Sequence, residues 1–172
     1  MPLSMYQVST PVFLRGLGVL STLLAKAQAH ADQHGIAQDV LLGARLAPDM
    51  LHLTGQVQRA SDTSKLSIER LSGIASPRFP DNETSFTQLQ ERIANTVTYL
   101  SSVTQAQLED SEKCIVSLDF GAFKPSFNGA DYLLTFALPN FYFHVATAHG
   151  ILRHQGVQVG KLDFLGPYSQ PV

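Results

Sequence analysis

PVFLRGLGVLSTLLAKAQAHADQHG, residues 11–35, decides the class of fold. Within it Phe13, Leu17, Leu20, Leu24, Ala27 and Ala31 recur at alternating steps of four and three. Only a helix gathers such positions onto one face, because 3.6 residues complete each turn. A stripe sustained over that length must be covered along its whole run, and other helices are the natural cover. Thr10 and Pro11 predict the start, a capping hydroxyl followed by a proline at the first helical position. Gly35 predicts a left-handed stop.

The same rhythm returns downstream. Met50, Leu53, Val57, Ala60, Ser64, Ser67 and Leu71 mark a second long helix, led in by residues 39–46, started by Pro48 and ended by Gly73. Its stripe is small and polar at the centre, which predicts either tight packing or a cavity there. A third helix opens near Thr84-Ser85, with Gln88 spaced to complete a capping box. Phe86, Leu89, Ile93, Leu100 and Val103 form its buried face. A fourth runs from Asn128-Gly129 to Gly156, and Pro139 inside it predicts a kink or a split. Between the third and fourth the period falls to two. KCIVSL at 113–118 alternates, Phe120–Phe123 reads as a turn, and Pro125 confines the second arm to a sheet edge. The tail from Gly156 holds too many glycines and prolines to extend the fourth helix. The reading is an all-α, up-and-down four-helix bundle with a small β-hairpin between helices 3 and 4, one domain over residues 1–172.

Composition removes several function classes. With 44% hydrophobic and 15% charged residues, the chain has the means to build a core and lacks the signature of disorder. Net charge is −2 and no basic run exceeds two residues, so the Lys/Arg footprint of a nucleic-acid binder is missing. The single cysteine, Cys114, cannot form an internal disulfide. That suits a reducing compartment. No signal-peptide pattern opens the chain, and no uninterrupted apolar run approaches the ~20 residues of a membrane span. The expectation is a cytoplasmic protein with neither nucleic acid nor membrane as partner; self-association as a homodimer stays open. No G-x-S-x-G elbow, P-loop or dinucleotide fingerprint is present.

Six motifs in order carry a resemblance: SMYQVSTPVF at 4–13, RLAPDM at 45–50, QVQRASD at 56–62, PNFYFH at 139–144, ILRHQG at 151–156 and GKLDFLG at 160–166. Together the chain resembles a bacterial family of unknown function within the DinB-like (YfiT-type) superfamily of proposed metalloenzymes. The resemblance implies a four-helix bundle. It also implies, for many members, one histidine on the second helix and an HxxxH pair on the fourth, holding a divalent metal such as zinc, nickel or iron. Members with that triad include thiol-dependent transferases and isomerases.

Residue by residue, His52 could match the first ligand and His144 the second. The third position is Ala148, and the histidine stands at 149. On a regular helix, positions four apart lie about 40° from one another and positions five apart about 140°, so His144 and His149 cannot share one interior. His154 lies about 15 Å further along the axis. Asp49 or Asp62 could substitute as carboxylates. With the triad incomplete, no cofactor is expected, and the leading reading is a small-ligand-binding or interaction module with a degenerate metal site. The alternative is a metal-dependent enzyme of the DinB-like type, a thiol-linked transferase or a hydrolase.

Asn140, His144, Thr147 and Ile151 share one face of the fourth helix, which points His144 inward. A buried imidazole needs a polar partner, and Asp49, His52 and Gln56 are the candidates. These five polar residues, Asp49, His52, Gln56, Asn140 and His144, form the predicted pocket. The remaining polar features read as architecture. Arg45 is placed to pair with Asp49, Asn140 to satisfy a carbonyl freed by Pro139, and His30 and His34 to favour the end of the first helix. His149 falls off the core face, and Cys114 reads as a small apolar side chain.

Overall fold

The computed structural model describes residues 3–167. Helix α1 (Met5–His34) begins earlier than Thr10-Pro11 predict. Ser4 caps it, accepting from the Gln7 amide at 3.2 Å, while the Gln7 side chain accepts from the Ser4 amide at 2.9 Å. That reciprocal box satisfies two otherwise orphaned amides and so outcompetes a later start. Pro11 consequently sits inside the helix; it and Gln7 are both exposed, so the carbonyl robbed of its donor lies on the solvent side. All six stripe residues of α1 are buried, and Gly35 closes the helix at φ 63.

A short helix α2 (Gln38–Leu42) leads to a loop, and α3 (Leu53–Ser72) starts at His52 rather than at Pro48. Pro48 lies in a turn whose carbonyl accepts from Arg45 at 3.3 Å, so Arg45 bonds backbone in place of the predicted Asp49 pairing. Gly73 ends α3 at φ 74. Helix α4 (Phe86–Ser102) is capped by Ser85, and Gln88 reaches back to the Thr84 amide at 2.6 Å, one residue beyond the predicted box. Strands β1 (Ile115–Ser117) and β2 (Ser126–Asn128) pair antiparallel with Val116 opposite Phe127, which gives the hairpin its predicted place.

The last long helix is continuous through Pro139. It comprises α5 (Gly129–Asp131), a π-helical stretch Tyr132–Ala137 and α6 (Leu138–His154). A wider turn just ahead of a proline moves the hydrogen-bond register past the missing N–H, so the helix neither splits nor breaks. The tail does not extend α6; it forms a separate short helix α7 (Lys161–Leu165).

Paired side chains give the directions. Phe13 meets Phe141 and His30 approaches Gly156, so α1 and α6 run together. Gln56 meets His144 and Ser67 meets Tyr132, so α3 opposes α6. Asp62 meets Arg92, Ser61 meets Thr96 and Ile74 meets Tyr99, so α3 and α4 run the same way. The expected four-helix bundle is there, but its helices run up, down, down, up and do not alternate, because segment 73–85 returns the chain along its length between α3 and α4. The polar centre of α3 is tight: Ser61 shares a hydrogen with Thr96 at 2.8 Å, and Ser67 with Tyr132 at 3.0 Å. Gly16 lets α1 lie against α6, since a Cβ there would sit 2.3 Å from the Phe141 ring.

By length and composition α1 is one helix that could cross a bilayer, with mean hydropathy 1.5 in its most apolar window. This amends the expectation from uninterrupted runs. Half of that window is buried inside the bundle, against α3, α4 and α6.

Candidate functional site

The site grows from the first turn of α3. His52 holds extended backbone at φ −71, ψ 171, and its ring Nδ1 accepts from the Gly55 amide at 3.2 Å. An imidazole thus does the capping that a serine or aspartate usually does. One turn on, Gln56 is buried, and its Nε2 donates to the Leu51 carbonyl at 2.9 Å. A carbonyl can only accept, so this bond fixes which end of the amide is nitrogen. Oε1 therefore faces α6, where it lies 2.8 Å from His144 Nδ1.

The chain of bonds settles the tautomer of His144. Gln56 Oε1 accepts, so Nδ1 carries the hydrogen, and Nε2 is left with a bare lone pair. Burial, with the positive charge of Arg59 adding to it, lowers the His144 pKa to about 4, so the ring is neutral near pH 7. His144 keeps 9% of its surface accessible. The half-exposed ring of Phe143 stands edge-on to it, 5.3 Å away between centroids.

The pattern continues along the helix pair. Asn140 Nδ2 donates to Thr63 Oγ1 at 2.8 Å, across to α3 and not to a carbonyl freed by Pro139. Arg70 donates to the Tyr132 hydroxyl at 2.9 Å. Gln56, Thr63 and Ser67 thus meet His144, Asn140 and Tyr132 in turn, a polar seam between α3 and α6. Thr63 escaped the sequence reading, although its place seven residues after Gln56 puts it on the same face. Asp49 is exposed in the turn before α3. Of the five predicted pocket residues, the structure joins Gln56 with His144, places Asn140 further along the seam, sets His52 at the cap and leaves Asp49 at the surface.

A divalent metal does not fit these residues. A ligating imidazole offers a bare nitrogen and usually donates from the other. His144 is arranged that way, but the bare nitrogen of His52 is taken by Gly55 N–H. Ala148, buried, stands where a third histidine would. Asp62 is engaged by Arg92 at 2.9 Å, Lys65 at 3.0 Å and Arg59 at 3.2 Å. Among the described residues no three His, Cys, Asp or Glu side chains gather closely enough to share an ion. His149 is half-exposed and donates to the Gly160 carbonyl at 3.0 Å, tying α6 to the tail. His34 donates to the His30 carbonyl at 2.8 Å, closing the end of α1.

A second polar cluster lies on the other side of α3. Arg92, with 1% of its side chain exposed, donates to Asp62, Asp81 and Glu83 at 2.8–2.9 Å. Phe79 lies under the Arg92 and Lys65 cations at 5.2 and 5.3 Å. Burial alone would raise the Glu83 carboxyl, but hydrogen bonds from Arg92 and Gln58 outweigh it and hold the group below the ordinary range. These pairs fasten segment 73–85 to α3 and α4.

A family described as a domain of unknown function (DUF1993) matches residues 5–165. The crystal structure of a DinB family member protein from Shewanella denitrificans is 38% identical over 97% of this chain and 96% of that one, with a TM-score of 0.90. No curated protein matches.

Proposed function

We propose, for a chain that belongs to the DUF1993 family of domains of unknown function and has a DinB family fold, a small-ligand-binding module with a degenerate metal site. The observation that carries this reading is the relay from Leu51 through Gln56 to His144. It presents one unprotonated nitrogen at a nearly buried position, ready to accept from a ligand N–H or O–H. In a low-dielectric setting such a bond is stronger than at the surface. The divalent-metal enzyme, whether a thiol-linked transferase or a hydrolase, would require His52 to surrender its cap. A cytoplasmic location, no nucleic-acid partner and an optional homodimer belong to the same proposal. The absence of a nucleic-acid partner is supported by the net charge of −2, and the location by the unpaired Cys114, whose thiol burial, aided by Glu112, pushes up.

Two measurements test it. Long-range proton–nitrogen spectra should show His144 protonated at Nδ1 only, and a panel of small phenols, alcohols and amides should contain binders that shift Nε2 and are lost in His144→Ala. Metal analysis of the purified protein should find far less than one equivalent. Roughly one equivalent of zinc, nickel or iron, absent from His144→Ala, would return the reading to a metal centre.

A further inference from the structure

Away from His144, at the end of the bundle where α1 begins, a cavity of about 890 Å³ lies between the start of α1, the turns after α4 and the π-helical stretch. Leu134, on its wall, is ten residues from His144, about 15 Å along the helix. The size falls within the range of about 300–1,000 Å³ that takes small molecules. Its lining is mostly apolar, with Met5 and Val8 from α1, Leu108 at 1% exposure and Leu134. Leu3 and Leu134, both lining the cavity, leave 74% and 56% of their surface in water, apolar area that an alkyl chain would cover.

The rim carries a net negative charge. Two 3₁₀ turns, Gln105–Leu108 and Ser111–Lys113, flank Glu109 and Asp110, and Glu112 follows. Asp110 is the one non-glycine among the described residues with positive φ, at 59. Such outliers persist where the surroundings hold them and are frequent at ligand sites. Lys113 bonds Asp110 at 2.8 Å, which keeps that carboxyl ionised, and approaches Glu112 at 3.5 Å. Three carboxylates against one ammonium leave the rim at a formal −2. The start of α1 opposes this with about half a positive charge, and Ser4 and Gln7 already occupy its first amides. The negative charge prevails.

We propose that this cavity binds an amphiphilic cation, its alkyl chain among Met5, Val8, Leu108 and Leu134 and its ammonium head at Glu109, Asp110 and Glu112. Apolar walls reward chain length, and the rim selects the sign of the head group. The site shares no residue with the His144 relay and stands or falls separately from it.

Titration calorimetry on the full chain, with octyl- and decylammonium chloride below their micelle concentrations, tests this. One equivalent should bind, and two added methylenes should tighten binding about tenfold. Decanoate should bind at least about tenfold more weakly than decylammonium. Glu109→Gln with Glu112→Gln, both at the surface rim, should bring decylammonium down to the affinity of decanol and leave decanol unchanged. Ala106→Trp, on an exposed wall position, should abolish both, while His144→Ala changes neither; circular dichroism verifies that each variant is folded. Equal affinity for decanoate, many weak equivalents, or indifference to the charge variants would each overturn the proposal.

Discussion

Helix α3 carries a buried polar cluster on each side, and the two are built on opposite principles. Toward α4, Arg92 meets three carboxylates, its charge compensated and its bonds directed at the segment that returns the chain. Toward α6, His144 is neutral, holds one bond to Gln56 and keeps a lone pair in reserve. Charges taken from water must be paired on the spot, so the first cluster is occupied by its own architecture. A neutral ring costs far less to bury and can afford an unused acceptor. One side of α3 is thus spent on holding the fold together, and the other keeps the acceptor that the proposed ligand would use.

The largest expected effect falls on the charged side. Arg92→Met leaves Glu83 with Gln58 alone and takes one cation each from Asp62 and Asp81, which keep Arg59, and should lower unfolding free energy by about 3 kcal/mol, read by urea denaturation. A loss below about 1 kcal/mol would make the cluster a surface ornament. Next comes Gln56→Leu, which leaves His144 Nδ1–H without an acceptor and should cost about 1–3 kcal/mol. In the same variant the Nδ1 proton signal should broaden or the tautomer invert; an unaltered spectrum would break the relay.

Acid separates the two clusters in another way. The pKa of His144 is lowered from 6.5 to about 4, so between those values the unfolded chain binds the extra proton. The stability due to its neutral burial is thus full above pH 6.5 and is lost as pH falls toward about 4. Glu83 lies below 4.5, so its contribution is present above that value and is lost only under stronger acid. Stability curves should show two windows, and His144→Gln should flatten the upper one alone. The smallest effect is expected at Asp49→Ala, within about 0.5 kcal/mol, because that side chain is exposed. A larger loss would restore Asp49 to the site.

The sequence already contained the helices, because hydrophobic periodicity is a local property that survives without knowledge of the neighbours. It also held the pairing of His144 with a polar residue of α3, since a histidine on an apolar face needs one. Helix starts were harder. Ser4 displaced Thr10-Pro11, and His52 displaced Pro48, because a cap belongs to whichever side chain reaches the free amides. Asn140 was legible as polar and inward, yet its partner Thr63 sits 77 positions away in the chain.

By itself, then, the chain determined an all-α bundle with one hairpin, the inward faces and the presence of His144 on one of them. Those follow from side-chain period and burial, which each segment expresses alone. Tertiary structure decided the order up, down, down, up, through ion pairs that hold segment 73–85 against α3 and α4. It decided the tautomer of His144 as well, because that rests on Leu51 fixing the Gln56 amide, a relation among three residues that no spacing encodes. It also put His52 to work as a cap, and so took from the site the nitrogen a metal would have needed.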